Sequence, residues 1–232
     1  MLLLSFLQTQ YHYSRRKIVD LIKEKKILIN NSPIESFKYE LMSSDTVKIL
    51  GDIETKFEQK NEIKKDEILL FNKPVGYVVS KSDKHNQTIY QLLPVEFQHR
   101  YYIGRLDKES RGLVLLTPNP AVVHQFEHPS YEVSKEYLVK VSRILKALEI
   151  KQTKNGILSV SELGKKDLLK FQNISQIKNA NIYKIILNEG KKRHIRRVFS
   201  ALGIEVIDLQ RIKEGKFELG NMKEGEYKLM DM

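Results

Sequence analysis

Segments with the pattern of β-strands outnumber helical segments in this sequence, and the two kinds do not alternate in strict order. Strict alternation would indicate a parallel sheet with helical crossovers, whereas the observed order favours an α+β fold with a largely antiparallel sheet. We therefore predict a small N-terminal α/β module followed by a larger domain, whose mixed, mainly antiparallel sheet is flanked by helices.

Composition divides the 232 residues into two predicted domains joined by a linker. In residues 1–52, the apolar start predicts a buried first helix, and "SRRKIVDLIKEKK" predicts a second helix with Ser14 as its N-cap. The stretch "ILINNSPI" predicts two short strands around an Asn-Asn turn. Residues 53–66 are polar and mixed in charge, which is typical of a linker. Residues 67–232 then form the second domain.

Several strands and a helix can be placed in the second domain. Pro74 and Gly76 predict a turn between two strands in "EILLFNKPVGYVVS". The run "GLVLLT" predicts a further strand, and Asn119 and Pro120 have the character of an N-cap and a first helical residue. Alternation in "YEVSKEYLVKV" places Tyr137 on one strand face with valines, where a core position is the usual outcome.

The segment "KKRHIRRVFSALG" predicts an amphipathic helix that Gly203 ends. Helical periodicity points Arg197 away from the apolar stripe, and it puts Arg196 on the flank, from which a side chain can reach a cleft. Five of the first seven residues are basic, close to the helix start, where the helix dipole disfavours positive charge. Phosphates or a carboxylate would relieve this repulsion, and a solvated basic face is the alternative.

The overall composition narrows the possible partners and chemistry. Lysine and arginine outnumber aspartate and glutamate 40 to 29, which gives a net charge of +11 and a pI near 9.5. This excess favours a polyanionic partner such as nucleic acid, although a solvated surface would give the same totals. The absence of cysteine excludes disulfides, thiolate catalysis and cysteine-based zinc sites, and it fits a reducing compartment. The apolar N-terminus is too short for a membrane span.

Asp107 is an acidic residue in an otherwise basic setting, in the stretch "GRLDKESRGLVLLT" just before a predicted strand. The nearby Arg105 and Arg111 are expected to keep it ionised, and a salt bridge within the loop is the alternative reading. The sequence contains no Walker-type phosphate loop, HExxH, GxSxG or dinucleotide fingerprint. An enzyme with this sequence would therefore work without those devices.

Five stretches follow one another in the order of a known family: "NKPVGYVVS", "TIYQLLP", "GRLDKESRGLVLLT", "HPSYEVSKEYLVKV" and "LNEGKKRHIRRVFSALGIEVIDLQR". Together they resemble the pseudouridine synthases of the RsuA/RluB type. Residues 1 to about 50 resemble the S-four-like RNA-binding domain that precedes the catalytic domain in that family. The resemblance covers nearly the whole chain, and five motifs in order are specific, whereas "RLD" alone would be a weak signal.

The resemblance implies an enzyme that isomerises uridine in RNA to pseudouridine without a cofactor or a metal. It implies Asp107 as the catalytic aspartate, Tyr137 as the tyrosine of the "K-x-Y" segment and Arg196 as the basic partner of the aspartate. Arg105 is expected to help hold a nucleotide that is flipped out of the RNA. The other residues expected to bind RNA are Arg15, Arg16, Lys17, Lys191, Lys192 and Arg193.

The expected chemistry begins with a uridine that leaves the base stack, because a stacked base is inaccessible. The enzyme then breaks the glycosidic bond, turns the base and reattaches it through carbon 5. An ionised carboxylate can attack the anomeric carbon or remove a sugar proton, and the sequence leaves both routes open. Tyr137 would stack on the base and is a candidate to relay the proton lost from carbon 5.

Three departures from the family pattern concern substrate details rather than the reaction class: His194 replaces a glutamine, Ser110 replaces a threonine, and "TPNP" replaces a "TNDG"-like turn. Two other functions were weighed, a non-catalytic RNA-binding protein with a decayed synthase domain and a hydrolase that uses Asp107. The intact Asp107, Tyr137 and Arg196 argue against decay, and no recognised motif supplies a second carboxylate. We expect a cytoplasmic monomer whose partner is ribosomal RNA or an assembling ribosomal subunit. We expect no association with a membrane.

Overall fold

The computed structural model describes residues 2–11, 13–42, 45–51, 55–56, 67–160, 164, 166–178 and 180–232. Its contacts divide the chain into two compact units. The first unit comprises Met1–Asp66 with Pro118–Ala121, and the second comprises Glu67–Thr117 with Val122–Met232. Most of the predicted linker, residues 53–66, lies outside the described residues, so the predicted domain boundaries stay predictions.

The first unit contains two helices and a small antiparallel sheet. The helices are α1 (Leu3–Tyr11) and α2 (Arg15–Lys23), and the strands are β1 (Ile27–Ile29), β2 (Ser32–Pro33), β3 (Thr46–Ile49) and β4 (Thr55–Lys56). The strands pair in the order β2-β1-β3-β4. Apolar side chains of both helices and of β1 and β3 share one buried cluster, which forms the core of this unit.

Local signals in the first unit are confirmed. The hydroxyl of Ser14 accepts a hydrogen bond from the main-chain N–H of Lys17 at 3.2 Å, as an N-cap requires. Asn30 and Asn31 both adopt left-handed φ values, 50° and 65°, which a two-residue hairpin turn requires. The basic side chains at the start of α2 are exposed to solvent: Arg15, Arg16 and Lys17.

The remaining strands are β5 (Glu67–Lys73), β6 (Tyr101–Ile103), β7 (Arg111–Thr117), β8 (Lys135–Val141), β9 (Ile157–Val160), β10 (Lys166–Leu169), β11 (Asn173–Gln176), β12 (Ile182–Leu187), β13 (Val206–Glu214), β14 (Phe217–Glu218) and β15 (Tyr227–Asp231). The remaining helices are α3 (Pro120–Glu127), α4 (Ala147–Asn155) and α5 (His194–Ala201). In the described part of the chain, no helix combines the length and apolar character needed to cross a bilayer.

A nine-stranded sheet forms the frame of the second unit, with the order β11-β12-β8-β13-β7-β5-β15. Strand β6 pairs with β7, strand β14 pairs with β13, and β9 and β10 form a separate hairpin. Among the described strands of this sheet, β13 and β7 are the one parallel pair, so the prediction of a mixed, mainly antiparallel sheet is confirmed. Val114 and Leu116 of β7 face one apolar cluster, and Leu113 and Leu115 face another, which explains the continuous apolar run.

One predicted strand is wrong. After the turn at Pro74 and Gly76, the stretch "GYVVS" forms only an isolated bridge between Val78 and Thr88. The main-chain N–H of Gly76 donates instead to the carbonyl of Lys108 at 2.8 Å. This segment therefore leaves the sheet and supports the loop that follows β6.

Gly112 permits the close parallel approach of β7 to β13. Its φ is +105°, and a Cβ at this position would collide with the main-chain oxygen of Arg211 and lie 2.7 Å from the main-chain nitrogen of that residue. Because a strand cannot yield as a flexible side chain would, no side chain fits here without moving β7 or β13.

We expect Gly112→Ala to lower the free energy of unfolding by about 3 kcal/mol or more, because it adds a main-chain collision to the cost of the positive φ. Gly76→Ala is the matched control, since Gly76 has φ +97° and open space around it. The control should lose only about 1 kcal/mol, the strain of the positive φ. Thermal or urea denaturation measures both losses, and equal losses would contradict the account.

Candidate active site

Asp107 lies in the loop between β6 and β7, residues 104–110, which we call the aspartate loop. A turn closes the loop, because the main-chain N–H of Ser110 donates to the carbonyl of Asp107 at 3.0 Å. The Asp107 side chain is 33% exposed. It is therefore accessible from solvent but partly removed from water.

Lys73 anchors the aspartate loop through hydrogen bonds from its ammonium group. This last residue of β5 is completely buried, and its ammonium donates to the carbonyls of Ser110 at 2.6 Å and Pro74 at 2.9 Å. Burial lowers the pKa of Lys73 to about 8, and the negative charge of Asp107 partly opposes that change. Sequence reasoning missed this residue, although a lysine at the end of a strand with a central apolar run was a usable signal.

Two arginines reach the aspartate loop from the start of α5. The Arg193 Nη1 atom lies 3.8 Å from Asp107 Oδ2 and also contacts the Glu109 carboxylate. The Arg196 guanidinium donates to the Glu109 carbonyl at 3.0 Å, to the Ser110 hydroxyl at 3.2 Å and to the Val206 carbonyl at 3.2 Å. Arg193 therefore makes the closer ion pair with Asp107, whereas Arg196 is anchored on the loop and acts on Asp107 at longer range. The predicted role of Arg196 as the basic partner of Asp107 stays a prediction.

The charge state of Asp107 depends on a balance between burial, which favours the neutral carboxyl, and nearby cations, which favour the carboxylate. Burial raises the pKa of Asp107, Arg193 opposes that rise most strongly, Glu109 adds to it, and Arg196 and Lys192 oppose it. Of the two arginines predicted to keep Asp107 ionised, Arg111 makes a two-point ion pair with Asp208, at 2.8 and 2.9 Å, and Arg105 is exposed. The compensating cations come from a segment far along the chain, which sequence proximity could not indicate.

Tyr137 lies on β8, and its side chain is buried as the alternating pattern predicted. Its Cα pairs directly with that of Arg211 across β8 and β13, so the two side chains share a face of the sheet. Burial raises the pKa of the Tyr137 hydroxyl, which Arg211 partly offsets and the Asp107 carboxylate reinforces. Asp107 and Tyr137 therefore lie within electrostatic reach of each other, and their shared catalytic role stays a prediction.

A buried charged group supports the site beside Tyr137. The Arg211 Nε donates to the carbonyl of Leu113 at 2.6 Å, and Arg211 Nη2 lies 3.2 Å from Glu214 Oε2. The Lys135 ammonium lies 3.7 Å from the same glutamate. A Cβ on Gly104, at the start of the aspartate loop, would lie 3.5 Å from both Arg211 and Glu214. Sequence reasoning missed this group, although charged residues within the alternating pattern of β13 were a usable signal.

The other predicted basic residues lie outside this inner group. Lys191 and Lys192 are exposed on the segment before α5. Arg197, which helical periodicity points away from the apolar stripe, bonds Asp167 at 2.9 Å and the carbonyl of Ser159 at 3.2 Å. It therefore joins α5 to the β9–β10 hairpin. Within the described ranges, no group of three or more histidine, aspartate and glutamate side chains is arranged to hold a metal ion.

His194 is buried at the first position of α5, with its Nδ1 atom 3.5 Å from Glu189 Oε1. Burial lowers the pKa of His194 to about 4, although Glu189 opposes the change. The imidazole is therefore neutral near pH 7 and can donate from only one of its two nitrogens.

We expect His194→Gln to make stability less sensitive to acid. Because the folded pKa lies below the ordinary value of 6.5, the unfolded chain binds the proton first, and the folded state loses stability as pH falls from about 6.5 toward 4. Urea denaturation at pH 7 and pH 4.5 should show a stability loss that is greater in the wild type by about 2 kcal/mol. Equal losses in the two proteins would contradict the assignment of a buried neutral imidazole.

Comparisons with known proteins identify the family to which this chain is similar. The family model described as RNA pseudouridylate synthase matches residues 67–201, a range that contains Asp107, Tyr137 and Arg196. An uncharacterized RNA pseudouridine synthase of Rickettsia typhi is 32% identical over 216 residues, which cover 93% of this chain and 85% of that protein. Ribosomal large subunit pseudouridine synthase B of Bacillus subtilis is 29% identical over 214 residues, covering 92% and 85%.

A solved structure supports the same relationship. A crystal structure described as a pseudouridylate synthase superimposes with a TM-score of 0.68 at 26% sequence identity. The alignment covers 98% of this chain and 95% of that chain. With a family match over more than half of its length and relatives aligned over nearly all of it, the chain belongs to the RNA pseudouridine synthases, of the RsuA/RluB type.

Proposed function

We propose that this enzyme isomerises a specific uridine of ribosomal RNA, with Asp107, Tyr137 and Arg196 as its site residues. The observation that carries the proposal is the convergence of a half-buried carboxylate on the aspartate loop, a buried tyrosine on β8 and two guanidinium groups from the start of α5. The Bacillus subtilis relative is named for the large ribosomal subunit, which supports ribosomal RNA as the target. The alternative of a decayed, non-catalytic domain is not favoured.

Asp107 would act on the sugar of a flipped uridine. Partial burial removes some of its water, while the facing guanidinium groups favour the ionised form, which is the form that the reaction would use. It can attack the anomeric carbon as a nucleophile or remove a sugar proton as a base, and both routes release the base from the sugar. Arg196 would keep the carboxylate in place, because it is bonded to Glu109 and Ser110 on the same loop.

Tyr137 would enter the reaction as a neutral hydroxyl. Because burial raises its pKa, the phenol stays protonated near neutral pH. Its ring can stack on the flipped uracil, and its hydroxyl can pass on the proton that carbon 5 loses after the new carbon–carbon bond forms. The neighbouring Arg211 and Glu214 would hold the Tyr137 ring in position.

RNA would be held by basic side chains around this site and in the N-terminal module. Arg105 is exposed on the aspartate loop, beside Asp107 in sequence, which suits contact with the flipped nucleotide. Lys191, Lys192 and Arg193 precede α5, where the helix dipole also favours phosphate. The S-four-like resemblance supports an RNA-binding role for the first unit. We further propose that the enzyme acts as a cytoplasmic monomer on ribosomal RNA or an assembling ribosomal subunit.

The ribosomal target can be tested by mapping pseudouridines in ribosomal RNA from cells that lack this protein. We expect one position to lose its pseudouridine, to regain it with the wild-type chain and to stay unmodified with Asp107→Asn. Ribosomal RNA with every pseudouridine retained would contradict the proposed target, and other RNA classes in the same preparations would then be examined for a lost position.

Replacing Arg15, Arg16 and Lys17 by glutamine should weaken RNA binding and reduce its salt dependence. If all three contact phosphates, the slope of log affinity against log salt should become shallower by about 2–3, because fewer counterions are released. A matched variant with the same loss of charge replaces the exposed Lys151, Lys154 and Lys178. Equal changes in both variants would show that net charge, rather than this face of α2, governs binding.

A further inference from the structure

Glu109 shares the basic groups that compensate Asp107. Its carboxylate contacts the Arg193 guanidinium and lies 3.9 Å from Arg196 Nε. The same Arg193 Nη1 atom lies 3.8 Å from Asp107 Oδ2. One guanidinium therefore faces two carboxylates on a single loop, and its closer contact is with Glu109, which the proposed chemistry does not use.

The two arginines differ in their exposure to solvent and in their contacts with the carboxylates. Arg196 is 13% exposed and makes three hydrogen bonds to the aspartate loop and β13. Arg193 is 33% exposed, and it occupies the N-cap of α5 in a left-handed conformation with φ 53°. Such a conformation is strained for a non-glycine residue, and residues with this strain cluster at functional sites. Arg193 is therefore the more exposed of the two arginines, and its guanidinium already lies close to both carboxylates.

We propose that Glu109 is a positioning residue whose carboxylate competes with Asp107 for the Arg193 guanidinium, and so sets how strongly the reacting carboxylate is compensated. The proposal rests on the proposed role of Asp107. Coulombic attraction grows as the distance shrinks, so the cation favours the nearer carboxylate while both are charged. When Glu109 loses its charge, Arg193 can close the 3.8 Å separation from Asp107.

The electrostatic balance at both carboxylates agrees with this competition. Burial alone would raise the pKa of Glu109, but hydrogen bonding from Arg193 leaves that pKa below its usual value. Burial raises the pKa of Asp107, and the Glu109 charge contributes to the rise. Arg193 therefore stabilises the ionised form of Glu109, while the ionised form of Asp107 remains only partly compensated.

Other charged or titratable groups also face Asp107 and stay in place in the test. Lys73 of β5 lies beneath the loop, and Tyr137 of β8 lies within electrostatic reach. Lys192 and Arg196 act on Asp107 from the α5 side. A change that depends on Glu109 and Arg193 together can therefore be separated from this constant background.

The test is a carbon-13 NMR titration of aspartate side-chain carboxyls in the full-length protein without RNA, with the Asp107 signal assigned from Asp107→Asn. We expect Glu109→Gln to lower the titration midpoint of Asp107 by about one pH unit, the size of effect that a close arginine produces. Glu224→Gln is the matched control, because Glu224 is equally exposed, 45% against 44%, and pairs with Arg111. An unchanged or raised midpoint in Glu109→Gln would overturn the proposal.

A double-mutant cycle with Arg193→Gln separates competition from simple repulsion. If Glu109 acts by holding Arg193, its substitution should shift Asp107 much less when Arg193 is already absent. An equal shift in both backgrounds would show direct repulsion alone and would refute the competition. The titration needs neither RNA nor turnover, so it stands apart from the proposed function, which an active Asp107→Asn enzyme would refute.

Discussion

Asp107→Asn is expected to leave the protein folded and bound to RNA while turnover falls by at least about 10⁴-fold, as when a catalytic group is removed. Asparagine keeps the shape of the side chain and the turn made by the main chain of Asp107 and Ser110. It loses the negative charge that both proposed routes, nucleophilic attack and proton removal, would use. RNA affinity should be retained or increase, because one negative charge that faces the phosphates is gone.

Melting temperature, RNA affinity and tritium release from carbon 5 of uridine should be measured on the same preparations. Asp208→Asn is a useful control, because Asp208 is similarly exposed, 35% against 33%, and also faces an arginine. It should lose stability through Arg111 but lose far less turnover. A folded Asp107→Asn enzyme with substantial tritium release would count against the assignment, and an unfolded one would favour a structural salt bridge in the loop.

Arg196→Met is expected to reduce kcat/KM by an amount equivalent to about 2–5 kcal/mol, the range seen when one partner of a buried charge pair is removed. Methionine keeps much of the apolar stem but loses the hydrogen bonds to Glu109, Ser110 and Val206. The aspartate loop would then be held less firmly, and Asp107 would lose a neighbouring positive charge. Both effects act on turnover more than on RNA affinity.

Arg197→Met is the control for that substitution, since the two arginines are neighbours on α5. Arg197 bonds Asp167 and Ser159 rather than the aspartate loop, so its loss should lower the melting temperature by releasing the β9–β10 hairpin. Its effect on turnover should be much smaller. Equal turnover losses in the two variants would remove the distinction between a site residue and a structural link.

Local periodicity explains which parts of the fold were predictable. The apolar run of β7 reads as a buried strand because both faces of that strand meet apolar clusters. In α5, the stripe of Ile195, Val198 and Phe199 is buried, and Arg196 lies on its flank as helical geometry requires. The stretch "GYVVS" has the composition of a strand, but its main chain forms hydrogen bonds with loop residues instead of a neighbouring strand. Composition alone does not predict which of these contacts forms.

The ionic partners of the site were less predictable, because they depend on contacts distant in sequence. Arg105 and Arg111 flank Asp107 in the chain, yet Arg193 makes its ion pair from the start of α5. The buried Lys73, Arg211 and Glu214 carry charges in positions where a pattern of apolar and polar residues predicts core. Such departures from local pattern are expected where side chains support a functional site.

Tritium release by the wild-type protein tests the central claim most directly. Formation of a carbon–carbon bond at carbon 5 of uridine must expel the hydrogen that carbon 5 carried, whereas binding or hydrolysis of the RNA leaves it in place. Incubation of the full-length chain with ribosomal RNA labelled with tritium at carbon 5 should therefore release tritium into water, and Asp107→Asn should not. RNA binding without release above the enzyme-free background, on unmodified RNA of every cellular class, would contradict the account.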